Sequence, residues 1–138
     1  MLEKIARAGK EEMEKMINKE FIELLRVSKP AIECPTPKRL VEATQKIFEL
    51  IFGDKIEWLP GKIEVGTGIT AHVMFNFFIY GKTTYKIEYT ATWEKDRDSD
   101  CYKFEGLTVC NNTTCLVLDY TMGLVIYDKH DDMDDEDY

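Results

Sequence analysis

The sequence predicts an α+β fold, two N-terminal helices packed on one face of a curved antiparallel sheet of about six strands, and three observations support this. Apolar residues recur at three- and four-residue steps as far as Gly53 and at two-residue steps after it. Short turn-forming stretches join the later segments, so neighbouring strands run antiparallel. The 138 residues, 44% hydrophobic and 12% aromatic, suffice for one domain with a substantial core and are too few for two.

The first helix is expected within Leu2 to Val27, where Met13, Met16, Ile17, Phe21, Leu24 and Leu25 form one apolar stripe. Its opening turns weaken at Ala8-Gly9-Lys10 and could form a separate piece. Methionine at helical spacing fills gaps in a core, which is how Met13 and Met16 are read. SKPAIECPTP, residues 28 to 37, is a connector, because its three prolines remove amide donors and push the preceding residues out of helical geometry. Thr36-Pro37 then reads as an N-cap followed by proline at the first helical position. Leu40, Thr44, Ile47, Phe48 and Ile51 form the buried stripe of the second helix, and Gly53 stops it.

Six strands follow in the expected order. KIEWL and KIEVG flank Pro60-Gly61, ITAHVMFNFFIY and TYKIEYTATWE flank Gly81-Lys82-Thr83, and CYKFEGLTVC and CLVLDYTMGLVIY flank Asn111-Asn112-Thr113-Thr114. This last loop carries two overlapping glycosylation sequons, which matter only to a chain entering the secretory path.

The net charge of -8 is concentrated at the C-terminus. Residues 128 to 138, DKHDDMDDEDY, hold seven acids against one lysine, leaving -2 for the body, residues 1 to 127. A block of like charge with almost nothing to bury is read as an acidic tail that is disordered when free and serves as an interaction or solubility segment. His130 sits among these carboxylates, but a segment without fixed geometry offers divalent cations only weak binding, so no metal and no cofactor are expected. Neither body nor tail offers the basic patch that a nucleic-acid grip requires. The opening MLEKIARAGKEEMEKM is charged throughout and no later run is long enough to span a bilayer, so neither a secretory leader nor a membrane contact is expected. The expected setting is the cytoplasm or nucleus, with the four cysteines, Cys34, Cys101, Cys110 and Cys115, reduced. Cys110 and Cys115 could nonetheless face each other across their hairpin at disulfide distance.

Chemistry-bearing motifs are sparse. Gly66-Thr67-Gly68 is followed by a strand and not a helix, so it builds no phosphate cradle, and there is no nucleophile elbow, zinc-protease motif or calcium loop. Three segments resemble the NTF2-like (cystatin-like, cone-shaped) superfamily: the helix TPKRLVEATQKIFELIFGD, the strand pair IYGKTTYKIEYTATWEKD and the aromatic strand CYKFEGLTVC, together covering roughly residues 20 to 110. The added strand CLVLDYTMGLVIY departs from it. The resemblance implies helices in the concavity of a curved sheet and, commonly, dimerisation through the opposite sheet face. It also implies an alternative, a small-molecule-binding or isomerase/dehydratase-type protein with His72 as acid or base in the cone and Glu57 as the nearest candidate carboxylate.

Register decides between these readings. On the strand 84 to 94, Tyr85, Ile87, Tyr89, Ala91 and Trp93 name the core face. A two-residue turn would place His72 beside them. A three-residue turn, Gly81-Lys82-Thr83, instead buries Val73, Phe75, Phe77 and Ile79, whose exposure would forfeit about 1.5 to 3 kcal/mol each. In the favoured three-residue register His72, Met74, Asn76, Phe78 and Tyr80 share the outer face with Lys86, Glu88, Thr90 and Thr92. That surface is too apolar to be simply solvated and too polar for a fixed core, the composition of a protein–protein interface. The expectation is therefore a non-catalytic intracellular module that binds a protein partner, itself or another chain, through His72, Met74, Asn76, Phe78, Tyr80, Glu88, Thr90 and Thr92. The acidic tail is its secondary contact.

Overall fold

A computed structural model of the protein describes residues 1–33, 36–58, 62–66, 69–96, 100–119 and 123–129. The α+β order is as expected, with helices first and an open antiparallel sheet after them. The stretch expected as one helix is three: α1 (Leu2–Arg7), α2 (Lys10–Met16) and α3 (Lys19–Val27). The first break falls at Ala8-Gly9, where the Glu12 carboxylate accepts the Gly9 N–H at 2.7 Å. The second falls at Ile17-Asn18, inside the apolar stripe. Asn18 is a poor helix-interior residue and a favoured N-cap, and its Oδ1 accepts the Phe21 N–H at 3.2 Å. Its own N–H donates to the Ile51 carbonyl at 2.7 Å, tying the break to the next helix.

That helix, α4 (Pro37–Phe52), follows its sequence signals at both ends. The Thr36 hydroxyl accepts the Arg39 N–H at 3.3 Å, Pro37 opens the first turn, and Gly53 closes the last with φ +70°. Leu40, Thr44, Ile47, Phe48 and Ile51 are all buried. The connector before it also contains a short strand, β1 (Ala31–Glu33), paired antiparallel with Cys101–Lys103. Three residues beside a proline carry too little pattern to announce a strand.

The described part of KIEWL, residues 55–58, is not a strand. Residues 54–58 form an irregular segment organised by the Glu49 carboxylate, which accepts the Ile56 N–H at 2.9 Å and the Trp58 indole N–H at 3.2 Å. Trp58 packs its ring against Phe48, Phe75 and Phe77, so its burial serves the core without a sheet ladder. The proposed Pro60-Gly61 turn lies outside the described residues.

The sheet is a meander, β2 (Lys62–Gly66), β3 (Thr70–Ile79), β4 (Tyr85–Lys95), β5 (Cys101–Cys110), β6 (Thr114–Asp119) and β7 (Gly123–Asp128), with β1 beside β5. CLVLDYTMGLVIY, expected as one long strand, is the hairpin of β6 and β7. Gly123 has φ +79°, a conformation that other residues adopt only under strain, and it pairs with Asp119. Between β4 and β5 the register shifts at Thr92/Trp93, with Thr92 opposite Gly106 and Trp93 opposite Phe104, so Glu105 is the extra residue of a bulge.

The helices pack on one face of this sheet, α1 on β4, α2 on β6 and β7, and α4 on β3. Among the fully buried side chains on this inner side are Ile5, Met13, Phe48, Tyr89, Trp93 and Phe104. The rings of Phe48 and Tyr89 lie 4.8 Å apart, and those of Phe75 and Tyr89 lie 5.7 Å apart. Their offset and tilted contacts add to the burial term.

Candidate functional site

The β3–β4 ladder adopts the three-residue register, with Phe77 opposite Ile87, Phe75 opposite Tyr89 and Val73 opposite Ala91, all buried. Side chains alternate along a strand, so the even-numbered residues of β3 point away from the helices. Met74 is 36% exposed, Phe78 49% and Tyr80 79%, while Asn76 is half-buried. Glu88 is exposed beside them, and Thr90, Thr92 and Lys86 are half-buried. The eight residues singled out in the sequence therefore share one surface, with Tyr80 just past the end of β3.

Following the registers across the sheet extends this surface. Met74 pairs with Thr90, Thr90 with Thr108, Thr108 with Val117 and Val117 with Val125, an uncharged row crossing five strands. On one side of it run His72, Thr92, Gly106 and Asp119; on the other run Asn76, Glu88, Cys110, Cys115 and Tyr127. Reading β6 and β7 as one strand hid Val117 and Val125 from sequence reasoning. The glycine at 123 was the signal that could have revealed them.

Specific contacts order this face. The Phe78 and Tyr80 rings stack with centroids 6.2 Å apart, and the Lys86 ammonium lies 5.8 Å from the Phe78 ring while pairing with Glu88. Lys86 is fixed in turn because its N–H donates to Asn112 Oδ1 at 2.9 Å. Near the bulge a shallow groove of about 310 Å3 runs between Thr90, Thr92, Thr108, Val117 and Asp119. Its floor is Gly106, where an added Cβ would lie 2.6 Å from the Leu118 carbonyl oxygen, so only glycine lets the strands approach there. Cys110 and Cys115, expected to be reduced, are joined in a disulfide, because they face each other directly in the β5–β6 ladder. Cys101 is a free thiol.

His72 lies on this outer face and is exposed, so the reading that placed it in the cone is corrected by the register. Its Nδ1 sits 3.4 Å from the Thr92 hydroxyl. Glu57 is exposed in the segment after α4. On the inner side the buried polar side chains among the described residues are Thr44, Asn111 and Thr114. Thr44 Oγ1 donates to the Leu40 carbonyl at 2.7 Å and accepts the Trp93 indole N–H at 3.1 Å, while the Tyr89 hydroxyl donates to the Thr44 carbonyl at 2.8 Å. Burial pushes the Tyr89 phenol far above its ordinary value, so it is a fixed donor and not a base.

Asn111 is the other buried anchor. Its Nδ2 donates to the carbonyls of Ile5 and Ala8, each at 2.8 Å, and its Oδ1 accepts the N–H groups of Thr113 and Thr114. It thereby satisfies the end of α1 and the hairpin loop together. At 2% exposure the first sequon asparagine is a structural residue, whereas Asn112 beside it is exposed. No helix among the described residues is long and apolar enough to cross a membrane. Compared with protein-family models, curated proteins and solved structures, the chain matches none.

Proposed function

We propose that the protein is a non-catalytic protein-interaction module that associates, with itself or a second chain, through the outer face of its sheet, and that the acidic segment 128–138 is a secondary contact. The observation that carries this reading is the uncharged row Met74, Thr90, Thr108, Val117 and Val125, left uncovered while the opposite face is packed. Five strands spaced about 4.8 Å apart and three or four side-chain rows make a platform of roughly 500 Å2 in plan. With the rise of its side chains this approaches the roughly 800 Å2 that each partner buries in a standard interface. Phe78, Tyr80 and Met74 supply apolar anchors, and His72, Asn76, Glu88 and Thr92 supply a polar rim.

The helices-on-sheet layout is the one that the NTF2-like resemblance implies, and a distant relation to that superfamily is part of this proposal. An isomerase or dehydratase would need an acid or base on the inner side, and the buried inner side chains of the described residues include no carboxylate or imidazole.

Thr90→Arg places a charge within the row, between Met74 and Thr108, without touching the core. By light scattering, an assembly formed by the wild-type chain should fall to the 16.1 kDa monomer or lose its partner, with the circular-dichroism spectrum unchanged. An assembly of unchanged mass would overturn the proposal.

A further inference from the structure

A second surface lies on the helices, remote from the outer sheet face. Lys4, Arg7, Ala8, Glu12, Lys15 and Met16 line a hollow of about 420 Å3 where α1 meets α2. Three cations thus face one carboxylate, and that carboxylate, Glu12, is occupied by the Gly9 N–H. Arg7 lies over the Tyr85 ring at 5.4 Å, and Lys4 and Lys15 have no ion-pair partner among the described residues. The hollow therefore combines an apolar floor, Ala8 and Met16, with an excess of positive charge at its rim, where Lys15 also borders Glu11 and Glu14 on its far side.

The chain supplies a complementary segment close by. β7 ends at Asp128, and the Lys129 N–H donates to the Thr113 carbonyl at 2.8 Å. Thr113 belongs to the loop whose Asn111 side chain holds the carbonyls of Ile5 and Ala8, so Lys129, the last described residue, lies beside the α1–α2 junction. The nine residues that follow it, HDDMDDEDY, carry six acids around Met133. Nine extended residues reach about 30 Å, ample for a return to a site this near. Opposite charges held on one chain also meet at a high effective concentration.

We infer that the acidic C-terminal segment, residues 130–138, docks in its own chain on the α1–α2 hollow, with Met133 on the Ala8 and Met16 floor and Asp131, Asp132, Asp134 and Asp135 against Lys4, Arg7 and Lys15. The free chain shields this basic surface, and a partner presenting a basic segment competes for the tail. The inference is independent of the sheet-face reading and stands or falls separately from it.

The test is backbone-amide NMR of the full chain at low salt. Replacing Asp131, Asp132, Asp134 and Asp135 together by Asn should move the amides of residues 4–16 while those of β3 and β4 stay in place. About 0.5 M salt added to the wild type should move the same amides, because it screens exposed charges beyond a few ångströms. In the reciprocal variant Lys15→Glu, at an exposed position, the heteronuclear NOE of residues 131–135 should fall towards that of an unattached chain. Amides at 4–16 that ignore both the Asn replacements and salt would overturn the inference. So would shifts centred on α3, α4 or the outer sheet face.

Discussion

Within β3, neighbouring residues lead different lives. Ala71, Val73, Phe75 and Phe77 are buried against rings and helices, while Met74, Phe78 and Tyr80, one step away in the chain, stay exposed. The inner face shows how this chain stabilises itself: aromatic contacts, and buried polar groups whose hydrogen bonds are all made, with none left unpartnered among the described residues. The outer face shows the same kinds of side chain with none of the described helices packed on them. The contrast separates two costs. A change on the inner face should be read as lost stability, and one on the outer face as lost association.

Phe48→Ala should have the largest effect, about 3 to 5 kcal/mol of stability measured by denaturant unfolding, because it empties the centre of the ring cluster. Asn111→Ala comes next, at about 2 to 3 kcal/mol, since it strands the Ala8 carbonyl and two loop N–H groups and leaves the Ile5 carbonyl only the Ala8 N–H. It should also free α1 selectively, visible as faster amide exchange at residues 5–8 than in β4.

Tyr89→Phe should cost about 1 kcal/mol at neutral pH by removing the bond to the Thr44 carbonyl. Its signature is in alkali. The unfolded phenol ionises near its ordinary value of 10.0 while the buried one stays protonated, so the unfolded state binds fewer protons above that pH. The wild type should then lose about 1.4 kcal/mol per pH unit through this group, a loss absent from the variant, and the two stabilities should converge about one unit above pH 10. Parallel curves would place Tyr89 in contact with water. Thr90→Arg, on the other face, should change the stability of the monomer, measured at high dilution, by no more than about 0.5 kcal/mol. A larger loss would mean that the outer face belongs to the fold and not to a partner.

Alkylation under non-reducing conditions sharpens the picture of the outer face without a change in stability. The Cys110–Cys115 bond predicts that no more than two of the four cysteines react after denaturation. Four would mean that the hairpin stays reduced, as the expected intracellular setting implies.

Much of this contrast was legible in the residues. The alternation of TYKIEYTATWE named the core face of β4, and the length of the Gly81-Lys82-Thr83 turn placed His72 outside. Thr36-Pro37 and Gly53 bounded α4 because caps act locally. What was missed depended on contacts distant in sequence. Asn18 breaks an unbroken apolar stripe because it caps a new helix and bonds to Ile51. KIEWL alternates like a strand, yet Glu49, on the preceding helix, takes both the Ile56 and Trp58 donors. The central row needed the β6–β7 hairpin, which one glycine marked within an otherwise continuous strand pattern.

The central claim, that the outer face is where this protein meets a partner, is tested most directly by a photo-crosslinking amino acid placed at Thr108, the middle of the uncharged row. The account predicts a discrete covalent adduct, either the doubled chain or the chain plus one partner, that is absent when the same group replaces the exposed Lys82 in the turn beyond β3. No adduct at Thr108, or the same adducts from both positions, would contradict it.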